Sequence, residues 1–515
     1  MPGETTAWRD PTWRRSFRLY MGASLLLMLV AAALSDGIYH ADEYFQIDEF
    51  ASHKLGITPA QDLPWEFDAQ VRPWLQPAFF YAIAVPLRAL GMEDAFSLMF
   101  VFRLTSGLVG WLSLLAFTLM ATNWLGPEID RRLLPAVTAF LCFVPYLLVR
   151  TSSESLSAAF LMLGYALLSR GAPIAGVLPV TRPRIAWTFW AGLFLGLSFE
   201  CRFQMALPIL GLGLWVSIVG RVNWRTLSSL FAGLLLSFIA GLVVDAWGYG
   251  SWVLVPWNYL RVNLIEGRAA TFGVLPAYAY LYLIPALLPP IGLVVTVALL
   301  VFWWRRPAHS LTWVTLPLVL AHSLIGHKEE RFLFPLYGFC PTILLMAFAP
   351  GPAKLARLAD FFWRRRKSWI ARALIAVNLV FLVGLSVLPV RVPMKTAQYI
   401  YRSFPDQFEV YGVGRYDPVS IWRGRLTFAA PPRYHHHSVE DLGALEAVWH
   451  RSRAPIYFAS RLPLTADDMA RFRGNVQLVY SYNPLWLSRL DFKWVSRLDW
   501  GCLYRIDPPE KSSDD

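Results

Sequence analysis

The chain has 515 residues, of which 56% are hydrophobic and only 16% are charged, and its formal net charge is +12. About a quarter of the residues in soluble domains are charged. The composition therefore excludes soluble enzymes, fibres and disordered chains, and it indicates a polytopic membrane protein. Because basic residues gather in the cytoplasmic loops of such proteins, the positive charge alone does not indicate nucleic-acid binding.

Apolar segments recur along the chain up to residue 390. A membrane-spanning helix needs about 20 mainly apolar residues. The candidate segments run near 17–38, 77–91, 97–122, 133–149, 155–169, 185–199, 203–219, 226–246, 276–304, 310–326, 332–349 and 371–390. The first segment lacks a small-residue cleavage site, so we expect it to be a retained anchor.

The basic residues predict the orientation of these segments. Arginines precede the first segment, so we expect the N-terminus to be cytoplasmic. The other basic clusters are Arg131/Arg132, Arg170 to Arg184, Arg221/Arg225, Arg305/Arg306 and Arg364 to Lys367. All of them can lie inside only if one early segment does not cross, and we choose 77–91, which is short and contains Pro86 and Arg88. This choice leaves eleven crossings; the alternative is that 77–91 crosses and some basic loops are external.

The composition changes abruptly near residue 392, where the long apolar runs stop. Alternating, strand-like pieces follow at 455–460, 475–482 and 501–506, and a helix-like stretch lies at 438–451. We therefore predict a membrane domain over 1–391 and a small C-terminal α/β extramembrane domain over 392–515 that ends in a polar tail. The membrane domain has two large external loops, 39–76 and 247–275.

One cluster of ionisable residues directly follows the first apolar segment. It contains His40, Asp42 and Glu43. Adjacent carboxylates at the mouth of a membrane segment suit a general base or a metal ligand. An acidic, solvated loop is the alternative reading, and the spacing alone does not separate the two.

A second cluster, His327 to Arg331, places five ionisable residues in a row between two apolar segments. A lysine and an arginine offer a point charge and a forked donor that suit a phosphate. The alternative is a charged hairpin turn. The predicted topology puts this cluster on the non-cytoplasmic side, where a merely topological basic turn is less expected.

The two large loops contain further polar and aromatic residues. Turns, aromatic rings and amides together suit a sugar-binding site, and they occur around Asp245, Tyr249, Asn258 and Asn263. An ordinary interfacial loop has a similar composition. Trp65, Glu66 and Arg72 also fit an interfacial helix with a Trp belt. Arg202, between two apolar segments, is either a phosphate ligand or an arginine that extends to the membrane interface.

In chain order, these clusters resemble the motifs of glycosyltransferase family 22, the polyprenyl-phosphate-sugar-dependent mannosyltransferases of the GT-C superfamily. The stretch His40–Gln46 is similar to the family pattern His-Pro-Asp-Glu-Tyr/Trp-Phe/Gln, with Ala41 in place of proline. His327–Leu333 matches the signature His-Lys-Glu-x-Arg-Phe-Leu, which is the most specific of the motifs. The resemblance covers about residues 17–350.

The other motifs are similar to the family with one clear departure. Trp65, Glu66 and Arg72 resemble the Trp-Glu and Ile-Arg-Ser pattern, and the Asp245–Gly250 and Asn258–Asn263 stretches resemble its Asp…Tyr-Gly and Asn…Asn pattern. Arg150 and Glu154 lie in a looser match to Arg-x-Leu-Ser-Asn-Ser-x-Glu, in which Glu154 replaces the asparagine.

The resemblance implies an all-α, polytopic GT-C fold with about 11–13 transmembrane helices and a hexosyltransferase of EC class 2.4.1.-, expected to be an inverting α-mannosyltransferase. Asp42 matches the position of the general base, with Glu43 supporting it. The implied donor-phosphate ligands are His327, Lys328, Arg331 and Arg202. The implied substrate-binding residues are His40, Trp65, Glu66, Arg72, Arg150, Glu154, Asp245, Tyr249, Asn258, Asn263 and Glu329.

The implied donor is a polyprenyl-phosphate sugar, and the implied acceptor is a hydroxyl of a glycolipid or glycan. This chemistry requires no cofactor, and the use of a divalent metal stays open. Membrane lipids are expected partners, and nucleic acid is not. For the three histidines at 435–437 we favour a solvated loop over a metal site.

We expect a multi-pass protein of the bacterial inner membrane whose active site faces the periplasm; the alternative is the endoplasmic reticulum membrane with a lumenal site. The rival function is a transporter or a flippase for lipid-linked sugars that lines a path with the same ionisable residues. The lack of internal repeats argues against a transporter. A membrane-anchored scaffold is a third, weaker alternative.

Overall fold

The computed structural model describes residues 10–171, 185–349, 369–404, 408–414, 416–421, 424–430, 433–484 and 498–509. The chain divides into two compact units. The first unit contains 1–35, 65–84 and 100–388, and the second contains 36–64, 85–99 and 389–515. The basic run 364–367 and residues 172–184 of another predicted basic cluster lie outside the described residues. The domain boundary predicted at 391 stays a prediction.

The first unit is built of helices. The described α-helices that lie wholly or mainly in it are Pro11–Leu34, Trp65–Asp68, Leu75–Ala89, Ala95–Ala121, Leu133–Phe140, Phe143–Leu148, Ser153–Gly171, Ile185–Cys201, Ala206–Ile218, Trp224–Tyr249, Val255–Leu260, Tyr280–Leu287, Ile291–Arg305, Ser310–Leu324, Cys340–Ala347 and Trp369–Val387. Short 3-10 or π-helical turns are found at Thr122–Trp124, Phe203–Met205, Arg261–Ile265, Arg268–Phe272 and Glu330–Phe339.

Several of these helices are apolar enough for a membrane. In the described ranges, the ones long enough to cross are Pro11–Leu34, Ala95–Trp124, Trp224–Tyr249 and Trp369–Ser403. Shorter apolar helices are Ile185–Cys201, Phe203–Ile218, Ile291–Arg305 and Ser310–Leu324. These helices confirm the prediction of a mostly helical, multi-pass membrane protein. The number of crossings stays a prediction.

Prolines interrupt two of the predicted apolar segments. The segment 276–304 is divided into two helices on either side of Pro289–Pro290. The segment 332–349 begins inside a 3-10 helix that contains Pro335. Proline has no N–H donor and disfavours the helical conformation of the residue before it. Neither candidate segment is therefore a single continuous α-helix.

A third predicted segment, 133–149, is interrupted between Phe140 and Phe143. The side chain of Asn378, from the helix Trp369–Val387, spans this break. Its amide donates to the Phe140 carbonyl at 2.6 Å, and its carbonyl accepts from the Cys142 N–H at 3.0 Å. In a membrane, a broken helix needs side-chain partners for the freed backbone groups. Asn378 supplies both partners.

The helix Ile185–Cys201 packs against two neighbours, Ser153–Gly171 and Trp224–Tyr249. Glycines allow the second contact to be a backbone contact, because a Cβ at Gly192 would collide with the Leu230 carbonyl. Small residues at such crossings are typical of helix pairs in membranes. This packing fixes the ends of the two outer helices, which contain Glu154 and Asp245.

The second unit contains a five-stranded mixed sheet in the order β4-β1-β5-β7-β6, and a two-stranded sheet. The strands are β1 Phe408–Val413, β2 Ser420–Ile421, β3 Gly424–Arg425, β4 Tyr434–Val439, β5 Ile456–Ser460, β6 Val476–Tyr480 and β7 Cys502–Ile506. β1 is parallel to β4 and β5, whereas β7 is antiparallel to β5 and β6. The described α-helices of this unit are Ala41–Glu43, Glu49–Lys54, Val392–Ser403, Leu442–Trp449 and Ala466–Ala470, with a π-helical turn at Tyr44–Asp48 and 3-10 turns at Ala60–Asp62 and Thr427–Ala429.

The C-terminal part of this unit has its own apolar core. Trp449, Phe458, Phe472, Trp500 and Tyr504 are buried together in it. The strand-like pieces predicted in the region are strands β5, β6 and β7, and the helix-like stretch contains the helix Leu442–Trp449. The prediction of a solvated loop at the three histidines 435–437 was wrong. They lie in β4, where the parallel ladder with β1 satisfies their backbone.

Candidate active site

Two arginines converge on one carboxylate in the first unit. Glu154 lies in the first turn of the helix Ser153–Gly171, Arg202 follows the helix Ile185–Cys201, and Arg331 lies in the 3-10 helix Glu330–Phe339. Glu154 Oε1 lies 2.8 Å from Arg202 Nη1 and 3.1 Å from Arg331 Nη1. All three residues are buried, with exposed fractions of 2%, 5% and 6% respectively. Guanidinium groups make charge-assisted hydrogen bonds to carboxylates and to phosphates, and here the two arginines share the carboxylate of Glu154.

Glu329 extends this ion network to His327. Arg331 Nε donates to Glu329 Oε2, and His327 Nε2 lies 2.8 Å from Glu329 Oε1. His327 Nδ1 lies 3.0 Å from the Gly273 carbonyl oxygen. The structure thus brings together five of the predicted site residues, and Glu329 is the link between the histidine and the arginines.

Lys328 has a different environment from its neighbours. Its ammonium group donates to the carbonyl oxygens of Leu275 at 2.9 Å, Ile325 at 2.5 Å and Gly326 at 3.4 Å. An ammonium group has three N–H donors. In this conformation Lys328 therefore holds the turn before the 3-10 helix against residue 275. Its role as a phosphate ligand stays a prediction.

An aromatic ring and two hydroxyls that the site prediction did not include surround the arginines. The guanidinium groups of Arg202 and Arg331 lie 5.5 and 5.3 Å from the centroid of the Phe332 ring. Arg202 Nη1 donates to Ser153 Oγ at 3.0 Å. The Tyr280 hydroxyl interacts electrostatically with Arg202 and with the acidic residues at 329 and 330. Phe332 lies in the matched signature, but Tyr280 begins an apolar helix and offers no local signal.

The segment 65–74 forms a second group in the first unit. Glu66 Oε1 lies 3.6 Å from Arg72 Nη2. The Arg72 guanidinium lies 5.8 Å from the centroid of the Tyr259 ring. The Trp65 ring lies 4.7 Å from the Arg268 guanidinium. These contacts join the predicted residues of the first external loop to those of the second.

The polar atoms predicted to hold a sugar bind the backbone of the same segment. Asp245 Oδ1 accepts from the Trp74 N–H at 2.7 Å. The Tyr249 hydroxyl accepts from the Arg72 N–H at 3.2 Å and donates to the Arg72 carbonyl at 2.8 Å. Asn258 Nδ2 donates to the Gln70 carbonyl at 3.3 Å. These side chains therefore shape the segment 70–74.

Two further predicted residues donate hydrogen bonds to backbone carbonyls. Arg150 is buried, its Nη2 donates to the Ser35 carbonyl, and its guanidinium lies 4.8 Å from the centroid of the Tyr146 ring. Asn263 Nδ2 donates to the carbonyl of Tyr259, four residues earlier, at 3.0 Å. Their predicted substrate contacts stay predictions.

The predicted catalytic carboxylates lie in the second unit, in the single helical turn Ala41–Glu43. His40 caps this turn: its Nδ1 accepts from the Asp42 N–H at 3.2 Å and lies 3.5 Å from Asp42 Oδ1. Glu43 is buried, and its Oε2 accepts from the Tyr39 N–H at 2.9 Å. The Asp42 side chain keeps 20% of its surface exposed. Asp42 is thus the more accessible carboxylate, and Glu43 binds the backbone before it.

Metal binding was left open by the sequence. In the described ranges, no group of three or more His, Cys, Asp or Glu side chains is arranged to hold a metal ion.

Residues 22–406 match the model of the Alg9-like mannosyltransferase family. The chain is similar to "GPI alpha-1,2-mannosyltransferase 3" of Mus musculus, at 23% identity over 332 residues, 62% of this chain and 56% of that protein. It is also similar to "GPI mannosyltransferase 3" of Yarrowia lipolytica, at 26% identity over 386 residues, 70% of this chain and 67% of that protein. The chain thus spans little more than half of the mouse relative.

The fold has a counterpart among solved structures. The crystal structure of ArnT from Cupriavidus metallidurans bound to undecaprenyl phosphate has a TM-score of 0.51 to this chain at 14% sequence identity, and the match covers 96% of this chain and 99% of that one. At this identity the likeness shows the fold alone. Because the family model covers more than half of the sequence, the chain belongs to the Alg9-like mannosyltransferase family and has its GT-C fold.

Proposed function

We propose that this protein is an inverting mannosyltransferase that transfers mannose from a polyprenyl-phosphate donor to a hydroxyl group of a glycolipid or glycan. The main observation behind this proposal is that two buried arginines, Arg202 and Arg331, form ion pairs with one carboxylate, that of Glu154. Family membership supplies the sugar and the donor class. The name of the mouse relative suggests an α-1,2-mannoside as the first product to look for.

The arginine pair supports a site for the donor phosphate. Arg202 Nε is buried and has no hydrogen-bond partner among the described residues. A buried donor without an acceptor costs about 1–3 kcal/mol, which a phosphate oxygen removes. The phosphate is the leaving group of the transfer, and it needs stabilisation of its charge rather than protonation. We assign this stabilisation to Arg202 and Arg331, with His327 and Glu329 orienting Arg331.

The carboxylates of the second unit include a candidate for the general base. As the acceptor oxygen attacks the anomeric carbon, the bond from that carbon to the phosphate oxygen breaks, and a base takes the hydroxyl proton. We assign the base to Asp42, because its side chain is partly exposed whereas Glu43 is turned to the backbone of Tyr39. With a β-linked donor, inversion gives an α-mannoside.

The proposed location follows from the donor. The polyprenyl chain of the donor stays in the bilayer. The apolar helices of the first unit would lie in the same bilayer, next to that chain. We propose that the reaction takes place on the non-cytoplasmic face, in the periplasm of a bacterium or in the lumen of the endoplasmic reticulum.

A transfer assay with purified protein tests this function. The protein is incubated with radiolabelled polyprenyl-phosphate-mannose and a lipid extract from the source organism, and the wild type is compared with Arg331→Gln and Arg202→Gln. Arg132→Gln is the matched control, because Arg132 is an exposed arginine that pairs with Asp130. Full transfer by the wild type and the control, and strongly reduced transfer at limiting donor in both other variants, supports the proposal. Movement of intact labelled lipid between vesicles without a new glycosidic bond contradicts it and indicates a carrier.

A further inference from the structure

A fully buried carboxylate, Glu49, lies shortly after the proposed base in the second unit. The turn Ala41–Glu43 continues into a π-helical turn, Tyr44–Asp48, and then into the helix Glu49–Lys54. Glu49 has no exposed surface. A buried carboxylate requires hydrogen-bond donors around it, so its partners show which parts of the chain it joins.

The donors to Glu49 come from separate parts of the sequence. Thr58 Oγ1 donates to Glu49 Oε2 at 2.5 Å, and the Tyr44 hydroxyl donates to the same carboxylate. The N–H of Phe428, in the 3-10 turn Thr427–Ala429, donates to Oε1 at 3.1 Å. The Tyr44 hydroxyl also accepts from the Ala429 N–H at 2.9 Å. Glu49 and Tyr44 together thus bind two successive amides of that turn.

The segment that contains the proposed base is attached to the C-terminal part of the second unit at another place, through Asp36. Lys395 Nζ lies 2.6 Å from Asp36 Oδ2, and the Val390 N–H donates to the Asp36 carbonyl at 2.8 Å. In sequence, the proposed base lies between this attachment and the one at Glu49. The backbone around Asp42 is therefore held on both sides by residues more than 300 positions away.

We infer that Glu49 and Tyr44 are positioning residues, which hold the helical turn of Asp42 by fastening it to the turn Thr427–Ala429. The inference rests on the proposed function, because it concerns the presentation of the proposed base. A general base works only within hydrogen-bond reach of the proton it takes, and a displacement of about 1 Å costs up to about a hundredfold in rate. π-helical turns are frequent at functional sites, where they alter the direction of side chains. Here the π-helical turn directs Tyr44 toward Glu49 and the 427–429 turn.

The test combines hydrogen exchange with kinetics on the purified, full-length protein. Glu49→Ala removes both acceptor oxygens, Glu49→Gln keeps one of them, and Tyr44→Phe removes only the hydroxyl. We expect Glu49→Ala to raise the exchange of amides in 41–54 and 424–430 and to lower kcat at least tenfold, with the donor KM changed less than twofold. We expect Glu49→Gln to recover much of both losses and Tyr44→Phe to give a smaller change of the same kind.

Asp62→Asn is the matched control. Asp62 Oδ2 accepts from Thr427 Oγ1 at 3.2 Å, so it is an acidic contact to the same turn on an exposed side, and we expect it to change neither readout. Unchanged exchange in Glu49→Ala, or raised exchange without a loss of kcat, would overturn the inference. A loss of protection throughout the chain would also overturn it, because it would show a purely structural role. If the wild type transfers no sugar, the proposed function fails, whereas unchanged exchange with normal transfer refutes only the positioning role.

Discussion

Arg202 Nη1 lies 2.8 Å from Glu154 Oε1, and both side chains are buried. Here the glutamate supplies a negative charge that offsets part of the positive charge of two arginines. A buried ion pair of this kind contributes little net stability, but the loss of one partner leaves an uncompensated buried charge. Glu154 therefore holds the two arginines together, in the arrangement that we propose for the donor phosphate.

Glu154→Ala is expected to destabilise the protein. The substitution leaves Arg202 and Arg331 without their shared counter-charge, which we expect to cost about 3 kcal/mol of unfolding free energy. Thermal unfolding of the detergent-purified variant measures this loss. Glu446→Ala is the control, because Glu446 lies in a partly exposed i,i+4 pair with His450 and is expected to change the Tm little. An unchanged Tm in Glu154→Ala would contradict the proposed counter-charge role.

The two arginines are expected to differ from Lys328 in their effect on the donor. Each charge-assisted hydrogen bond to a phosphate contributes about 1.5–3 kcal/mol, so Arg331→Gln and Arg202→Gln are expected to raise the donor KM roughly tenfold or more. Lys328→Met is expected to reduce stability mainly, because its ammonium binds three backbone carbonyls. Titration with a short-chain polyprenyl-phosphate-mannose measures these effects. A larger KM effect for Lys328→Met than for the arginines would assign the phosphate to Lys328.

Asp42→Asn is expected to lower kcat by about a hundredfold to ten-thousandfold, the usual contribution of a general base. The donor KM is expected to stay within a few-fold of the wild type, since the asparagine keeps the size and most contacts of the side chain. Glu43→Gln is expected to have a smaller effect on kcat, because Glu43 binds the Tyr39 backbone. Initial rates at saturating donor compare the two variants, and near-normal turnover in Asp42→Asn would remove it as the base.

Burial raises the pKa of Glu49 to about 7, from an ordinary value of 4.5. The folded protein therefore holds a proton on Glu49 between about pH 4.5 and 7 that the unfolded chain has lost. This contribution to stability is complete below pH 4.5 and is lost as the pH rises through 7, by about 3 kcal/mol in all. Hydrogen bonds from Thr58, Tyr44 and Phe428 lower the pKa of Glu49, but the effect of burial is larger and fixes the sign.

Thermal unfolding between pH 4.5 and 8 checks this pH dependence. Relative to Glu49→Gln, whose amide does not titrate, the Tm of the wild type is expected to fall over this range and to level off above pH 7. The difference between the two proteins removes the contributions of all other titrating groups. A difference that is constant with pH, or that grows in favour of the wild type as the pH rises, contradicts the raised pKa.

The break at residues 140–143 gives a prediction about the fold. Asn378→Ala removes the partners of two backbone groups and is expected to cost about 2 kcal/mol. Asn378→Asp keeps the acceptor for the Cys142 N–H but loses the donor to Phe140, so we expect an intermediate loss. The Tm values of the purified variants measure this order. Equal stability of all three proteins would show that other groups satisfy the break.

The sequence predicted most of what depends on local pattern. Apolar runs predicted the helices, alternation predicted the strands β5, β6 and β7, and the charged motif His327–Arg331 predicted a place where cations gather. Prolines mark the breaks at Pro289–Pro290 and Pro335, because proline lacks the N–H donor of a helix. Pro86, Pro285 and Pro317 nevertheless lie inside helices, so a proline alone does not predict where a helix ends.

Contacts between distant parts of the chain were not predictable in this way. Tyr249 and Asn258 are residue types that suit a sugar site, but their polar atoms bind a backbone segment 177 and 188 positions earlier. Lys328 likewise binds the carbonyl of Leu275, and Asn378 binds a helix break some 240 positions away. The choice among such partners depends on the packing of whole helices, which a single sequence does not reveal.

The formation of the new glycosidic bond tests the central claim most directly. The wild type is incubated with a polyprenyl-phosphate donor carrying mannose labelled with ¹³C at the anomeric carbon, together with the lipid extract, and the anomeric signal is followed by NMR. The account predicts that the anomeric carbon signal of the β-linked mannosyl-phosphate donor is replaced by the anomeric signal of an α-mannoside. It also predicts that the Asp42→Asn variant does not produce this change. Two results would contradict the account. One is an unchanged donor signal while the labelled lipid moves between membranes, and the other is the signal of a β-mannoside product.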